Sequence, residues 1–192
     1  MSPRSTVFVD SNVFFGARLR SLLLYLAQTK LFRLRWSGRI HEEWMRAVAE
    51  ERGIDISRLA RTRDLMDTAV PDAVVEGFEA LEASIDLPDP DDRHVVAAAI
   101  RAGAGLILTF NDKDFPPTTL RALGLETRHP DLFLLHVHDL GPELFSEAVR
   151  RDLAHYVAPE LSIETYLDSL RRAGAPRTAT LIARMEIPGR AS

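Results

Sequence analysis

The sequence of 192 residues contains no cysteine. Disulfide bonds, thiolate zinc sites and cysteine nucleophiles are therefore excluded, and the composition fits a reducing compartment, so we expect a cytoplasmic protein. The chain also lacks any apolar run near the ~18 residues typical of a membrane-spanning helix. Because its first residues, MSPRSTVFVD, enter a strand at once, we expect no signal peptide and no membrane anchor.

The chain also lacks an excess of positive charge, since its 28 acidic residues outnumber its 24 basic residues and its formal net charge is −4. A broad basic surface that coats nucleic acid is therefore not expected. Any phosphate-bearing substrate would have to be bound by local arginines or through bound cations. The candidate arginines are Arg33, Arg35, Arg39, Arg58, Arg61 and Arg63.

What the chain does contain is an alternation of short apolar segments with longer helical patterns. Strands are predicted at 6–9, 32–36, 106–110 and 125–128, and helices at 15–29, 37–52, 57–70, 72–85, 89–102 and 118–123. This alternation predicts an α/β fold with a parallel sheet. After residue 130 the pattern becomes helical only, with helices predicted at 131–140, 142–157, 162–173 and 176–185. We therefore predict one unit at 1–130 and a helical C-terminal extension at 131–192.

Acidic residues are concentrated at the start of the alanine-rich helix near residue 95 and again after the strand that follows it. Asp89 can cap that helix, and Asp92 is placed by its spacing to Val95 on the packed side. Asp112 and Asp114 follow the next apolar strand, at the sheet edge where open α/β folds bind ligands. The topology predicts that acids from separate segments meet there.

The candidates are Asp10 at the end of the first strand, Glu43 in an early helix, Asp92 and Asp114. Carboxylates brought close together repel, and each has a raised pKa unless a cation compensates. Hard oxygen ligands suit Mg²⁺ or Mn²⁺, and such ions can activate water and stabilise an in-line phosphoryl displacement.

Each position also has a simpler explanation. Asp10 could start a turn, Glu42 competes with Glu43 for the same role, and Asp112 competes with Asp114. Three histidines are interpreted as bystanders, His94 near the rim of the site and two others at the surface. The surface pair is His136 and His138.

Four segments in this order resemble the PIN-domain ribonucleases, most closely the VapC-type toxins of bacterial toxin–antitoxin pairs. The segments are VFVDSNVFF, SGRIHEEW, DPDDRHVVAAAI and LILTFNDKDF. The resemblance covers roughly residues 5–130, a typical domain length. It implies a three-layer α/β/α fold with a parallel central sheet, here followed by an extension that a minimal PIN domain lacks.

The resemblance implies a catalytic and metal-binding set that binds Mg²⁺ or Mn²⁺. Ser11 and Asn12 match the polar residues that order such a site, and Asn111 or Asp112 could assist. The fourth acid of the family is the most variable one. The catalytic and metal-binding set that the resemblance implies is Asp10, Glu43, Asp92 and Asp114.

The implied activity is metal-dependent endoribonuclease cleavage that leaves a 5′-phosphate and a 3′-hydroxyl, as the toxin of a toxin–antitoxin pair. The implied partners are RNA, with tRNA and rRNA as candidate substrates, a small VapB-type antitoxin and a second copy in a homodimer. Three alternatives stay open: a nuclease of RNA maturation, a non-catalytic PIN-like binding module, and a haloacid-dehalogenase-like phosphatase. The phosphatase would use Asp10 as nucleophile, but it needs an acid where this chain has Asn12.

Overall fold

A parallel five-stranded sheet forms the centre of the molecule, and its strand order is β3-β2-β1-β4-β5. The computed structural model describes residues 5–156 and 161–185. All neighbouring strands within those ranges pair in parallel. The strands are β1 (Thr6–Val9), β2 (Arg33–Ser37), β3 (Val74–Val75), β4 (Leu106–Leu108) and β5 (Glu126–Arg128). The predicted α/β class is confirmed.

The central strand β1 shows that both faces of the sheet are covered. Val7, Phe8 and Val9 follow one another and are all fully buried. Because successive strand residues point to opposite faces, burial of all three requires packed elements on each side. This is the three-layer arrangement predicted from the sequence.

Helices surround the sheet and continue beyond it. Up to residue 122 they are α1 (Ser11–Phe14), α2 (Ala17–Gln28), α3 (Gly38–Arg52), α4 (Ser57–Ala69), α5 (Glu79–Glu82), α6 (Arg93–Arg101) and α7 (Pro117–Ala122). The C-terminal helices are α8 (Pro130–Leu140), α9 (Pro142–Ala154), α10 (Ile163–Arg172) and α11 (Pro176–Arg184). Helix α6 packs on β1, β2 and β4, and both α2 and α3 contact β2.

Local side-chain chemistry sets several helix ends. The Ser37 hydroxyl accepts a hydrogen bond from the Ile40 N–H at 3.3 Å and caps α3, which ends at Gly53 with φ +61°. The Asp89 carboxylate accepts from the Asp91 N–H at 2.9 Å and starts the 3₁₀ turn before α6. The cap at Asp89 is the one that the sequence predicts.

The helix predicted at 72–85 is wrong. Val74 and Val75 instead form the edge strand β3 beside Trp36 and Ser37, and only α5 is helical in that stretch. Two β-branched residues in a row favour a strand. Gly77, at φ +71°, then breaks any continuous helix.

Two other predicted elements are shorter than expected. Gly16 has an extended conformation, so the helix predicted at 15–29 begins only at Ala17, as α2, and the preceding residues Ser11–Phe14 form the separate short helix α1. Strand β4 ends at Leu108 rather than at Phe110. The residues released from that strand, beginning with Thr109, belong to the candidate site.

The four C-terminal helices form close to where they were predicted, but α9 ends at Ala154, and Val157 lies outside the described residues. They pack on the sheet unit mainly through α2. Asp152 of α9 is fully buried and accepts hydrogen bonds from Ser21 of α2 and, at 2.8 Å, from the Tyr166 hydroxyl of α10. The boundary near residue 130 stays a prediction.

Asp131 of α8 fixes the last helix. Its carboxylate accepts from the N–H groups of Arg177 at 2.9 Å and Thr178 at 2.8 Å, and from the Thr178 hydroxyl at 2.7 Å. These N–H groups belong to the first turn of α11, where they have no partner within the helix. In the described part of the chain, no helix is long and apolar enough to cross a bilayer.

The turn between α10 and α11 yields a stability prediction. Gly174 has φ +85°, and a Cβ atom there would lie 2.6 Å from Cε1 of Phe110. Gly174→Ala should therefore lower the free energy of unfolding by about 2–4 kcal/mol, from backbone strain and overpacking together. Chemical denaturation measures this loss.

Gly53→Ala is the matched control. Gly53 has φ +61°, but a Cβ atom there would meet nothing within 4 Å. Backbone strain alone should cost about 1 kcal/mol. Equal losses in the two variants would show that the close packing of Gly174 on Phe110 contributes nothing.

Candidate active site

The predicted acids lie at the C-terminal edge of the sheet. The register pairs Val9 of β1 with Leu108 of β4, so the ends of these two adjacent strands coincide. The Asp10 N–H donates to the Leu108 carbonyl at 2.9 Å, and Asp10 is 5% exposed. A buried carboxylate is costly unless it is hydrogen-bonded.

Asp10 meets that requirement through four donors. Its Oδ2 accepts from the Thr109 hydroxyl and from Nδ2 of Asn12, both at 2.7 Å. Its Oδ1 accepts from the Ser11 N–H at 2.6 Å and from the Ser11 hydroxyl at 3.4 Å. The pKa of Asp10 is nevertheless raised, first by burial and also by the charge of Glu43.

Asn12 and Thr109 also join the two loops that carry the acids. The Asn12 amide donates to the Thr109 hydroxyl at 3.0 Å, and its oxygen accepts from the Phe110 N–H at 3.2 Å. The Thr109 hydroxyl accepts from the Asn111 N–H at 3.0 Å. The start of α1, which Asp10 caps, and the loop after β4 are thus held in a fixed relation.

Glu43 on α3 is oriented by a histidine. Its Oε1 lies 2.8 Å from Nε2 of His94 and 3.7 Å from Nε of Arg39. Burial alone would raise the pKa of Glu43, but the bonds from His94 and Ser11 and the charge of Arg39 outweigh it, so this pKa is lowered. Glu43 therefore stays ionised beside Asp10.

Asp92 has the most perturbed carboxyl group of the set. Burial raises its pKa to about 6, and the charges of Asp10, Asp114 and Asp89 act in the same direction against the opposing effect of His94. Asp114 itself accepts a hydrogen bond from the Asn111 amide. Asp92 is the place where negative charge is least compensated.

The structure therefore brings all four predicted carboxylates into one electrostatic neighbourhood. Asp10 interacts with Glu43 and Asp92, and Asp92 interacts with Asp114. In the ranges that the structure describes, no three acidic or histidine side chains form a ready-made metal-coordination sphere. The acids share an edge but do not converge on one point.

Exposure distinguishes the members of the two pairs of acids between which the sequence could not decide. Glu42 is exposed whereas Glu43 is half-buried, and Asp112 is exposed whereas Asp114 is half-buried. Only Glu43 and Asp114 interact with the other acids. The geometry favours Glu43 and Asp114 as members of the site.

Two residues of the site were missed or misplaced by the sequence analysis. His94 was expected at the rim, but it is 1% exposed and lies beneath Glu43. Its place at the start of an apolar helix could have indicated burial. Thr109 was predicted to be part of a strand, and its position directly after three apolar strand residues was the available signal.

Three further residues considered from the sequence contact other parts of the structure. His138 lies half-buried on α8 and packs edge-on against Phe145, with ring centroids 5.5 Å apart, so the expected surface position is wrong. Arg33 pairs with Thr6 at the N-terminal edge of the sheet, opposite the acids. Arg63 pairs with its neighbour Asp64 at 2.8 Å.

Comparison with known proteins finds a similarity that includes the C-terminal helices. The sequence model of the VapC50 C-terminal domain matches residues 130–184. A Mycobacterium tuberculosis (strain ATCC 25618 / H37Rv) protein named "Putative ribonuclease VapC50" is 38% identical over 79 residues. The chain is therefore similar to VapC-type proteins over part of its length. The extension beyond a minimal PIN domain is thus itself a feature shared with VapC50.

The match to that relative is partial. It covers 41% of this chain and 47% of the relative, so the chain spans about half the length of the curated relative it matches. No solved structure matches the chain. The similarity to VapC-type proteins therefore rests on the C-terminal domain match and on this relative, each of which covers part of the chain.

The raised pKa of Asp92 predicts a pH-dependent stability. The folded protein keeps the Asp92 proton up to about pH 6, whereas the unfolded chain loses it near the ordinary value of 3.8. This contribution to stability is complete below pH 3.8 and is lost as pH rises through 6. Asp92→Asn has no such proton to lose.

In EDTA, the melting temperature of Asp92→Asn should therefore exceed that of the wild type by a margin that grows between pH 4.5 and pH 7.5. Differential scanning calorimetry across this range measures the margin. Groups that titrate independently of Asp92 affect both proteins equally. A margin that does not change with pH would contradict the assigned environment of Asp92.

Proposed function

We propose that this chain is a Mg²⁺- or Mn²⁺-dependent endoribonuclease that hydrolyses RNA phosphodiester bonds and acts as the toxin of a toxin–antitoxin pair. The observation that carries the proposal is the set of four carboxylates from separate segments whose charges act on one another at a single sheet edge. Burial raises the pKa of Asp92 to about 6, and the charges of Asp10, Asp114 and Asp89 add to this rise. A structural role alone gives no reason to gather these charges.

The residues fit a divalent cation by their chemistry. Asp10, Glu43, Asp92 and Asp114 present only hard oxygen donors, as Mg²⁺ and Mn²⁺ prefer. Asp10, Glu43 and Asp92 would hold the ion, with Asp114 assisting a second ion or the attacking water. When bound, the ion supplies Lewis-acid activation of water and neutralises phosphate charge.

The chain's own residues keep the acids in position. Thr109 and Asn12 direct donors at Oδ2 of Asp10 and leave that carboxylate one orientation. His94 holds Glu43 from below, and its Nε2 must carry the proton when Glu43 is ionised. Such outer hydrogen bonds fix ligand geometry and contribute to metal affinity in metal sites.

The proposed partners follow from the family. RNA, including tRNA or rRNA, is the proposed substrate, with a 5′-phosphate and a 3′-hydroxyl as products. A small VapB-type antitoxin is the proposed inhibitor, and an arginine that it inserts among the carboxylates would occupy the place of the cation. Homodimer formation stays a prediction.

The phosphatase alternative is not favoured by the structure. The Asn12 amide is committed to Asp10, Thr109 and the Phe110 N–H. A phosphatase using Asp10 as nucleophile would need a general acid there, and a neutral amide fixed by three hydrogen bonds does not transfer protons.

Cleavage assays with tRNA and rRNA test the proposal. The wild-type protein should cleave with Mn²⁺ and not with EDTA, and Asp92→Asn should lower the rate by roughly two orders of magnitude or more because a ligand charge is removed. Circular dichroism should show that the variant stays folded.

Asp91→Asn is the matched control, since Asp91 precedes Asp92 in the same 3₁₀ turn and is exposed. It should retain the wild-type rate. Cleavage by the wild type in EDTA, or full activity of Asp92→Asn, would refute the proposal.

A further inference from the structure

A cleft of about 740 Å³ separates the loop after β1 from the turn between α10 and α11. Ser11 and Asn12 line one side, and Ala173 and Gly174 line the other. The cleft is therefore built jointly by the nuclease unit and the C-terminal helices. Its volume lies within the range of about 300–1,000 Å³ found for ligand sites.

The charge of the cleft is opposite to that of the whole protein. Its charged lining residues among those described are Arg18, Arg52 and Arg172, without any aspartate or glutamate. The chain as a whole carries −4. We call this feature the arginine cleft.

A fourth arginine lies directly behind the lining. Arg20 is buried, and its guanidinium carbon is 4.5 Å from the ring centroid of Trp44, which lines the cleft. Burial and the charge of Arg52 lower the pKa of Arg20 to about 10. Arg52 therefore lies close enough to Arg20 for the two positive charges to repel.

Arg18 is held on the opposite wall by aromatic rings. Its guanidinium carbon is 3.8 Å from the ring centroid of Tyr156, and Asp152 supplies a nearby negative charge. Its Nε and Nη1 are buried with no hydrogen-bond acceptor in the part of the chain that the structure describes. Arg172 makes only a 3.4 Å hydrogen bond, to the Ser169 hydroxyl.

Close backbone packing fixes the far wall against both loops of the candidate active site. A Cβ atom on Gly16 would lie 2.7 Å from the Ala173 Cβ, and one on Gly174 would lie 2.6 Å from Phe110. Gly16 follows the loop of Asp10, and Phe110 follows Thr109. The C-terminal helices thus meet the two loops that carry the acids.

The arginine cleft is continuous with the acidic edge. Ser11 and Asn12 line the cleft, and both donate hydrogen bonds to Asp10. Phe15 and Phe110, each half-buried, also line it. Aromatic rings beside arginines match the alternating bases and phosphates of a single strand.

We propose that the arginine cleft binds the backbone of single-stranded RNA beside the bond that is cut, with Arg52 and Arg172 contacting phosphates. This inference rests on the proposed function and assigns part of the RNA site to the C-terminal helices. An acidic protein segment would contact the same arginines, but the two phenylalanine rings beside them favour RNA, because its bases stack on aromatic rings.

RNA binding in EDTA tests the inference without catalysis. Fluorescence anisotropy of a short, unstructured, labelled RNA would compare the wild type with Arg52→Gln and Arg172→Gln. Each variant should bind several-fold more weakly. The slope of log K against log salt should shrink by roughly 0.7 for each phosphate that the variant no longer neutralises.

Arg33→Gln is the matched control, because Arg33 is exposed at the opposite edge of the sheet. It should bind RNA like the wild type. Equal affinities of all four proteins, an equal decrease in the control, or no RNA binding by the wild type would each overturn the inference. Unchanged RNA affinity in both cleft variants would show that RNA does not bind in the cleft and would favour an acidic protein segment as its ligand.

The same proteins separate this inference from the proposed function. If the wild type binds RNA through Arg52 and Arg172 but does not cleave it with Mn²⁺, the cleft is upheld and the nuclease proposal fails. If Mn²⁺-dependent cleavage is normal while the cleft variants bind RNA like the wild type, the nuclease is upheld and the cleft fails.

Discussion

Repulsion between carboxylates at one edge of a parallel sheet is the constraint on which the other features of this molecule depend. Parallel pairing of β1 with β4 brings Asp10 next to the loop of Asp114, and α3 and α6 add Glu43 and Asp92. Each of these elements is needed for the fold, but none requires an acid at that place. Burial, together with the neighbouring acids, raises the pKa of Asp92, so ionisation of Asp92 lowers the stability of the fold. A divalent cation would offset this cost.

Two kinds of support keep the edge in shape. Neutral donors, Thr109 and Asn12, satisfy Asp10 without cancelling its charge, whereas His94 pairs with Glu43 and keeps it ionised. The C-terminal helices add a second support, because Ala173 and Gly174 pack against the loops that follow Asp10 and Thr109. The same turn borders the arginine cleft. The extension therefore contributes to the surroundings of the site and not only to the bulk of the protein.

The sequence predicted the sheet well because buried strands and helix caps leave local signals. β1 was predicted to the residue, and the cap at Asp89 was correct. The segment 72–85 failed because its helical pattern was overridden by strand pairing with β2. The contact of His94 with Glu43 and the arginine cleft could not be predicted, since both depend on contacts between distant segments. Burial of His94 under α3, and the joining of Arg52 with Arg172, exist only in the folded chain.

Proton release on metal binding tests the central claim most directly. Calorimetric titration of Mn²⁺ into the wild-type protein, repeated in buffers of different ionisation enthalpy, counts the protons released. With a pKa of about 6, Asp92 is half-protonated near pH 6 and must lose its proton to bind the ion. The account predicts release of a substantial fraction of a proton at pH 6 and nearly none at pH 8. Absence of Mn²⁺ binding, or proton release that does not change with pH, would contradict it.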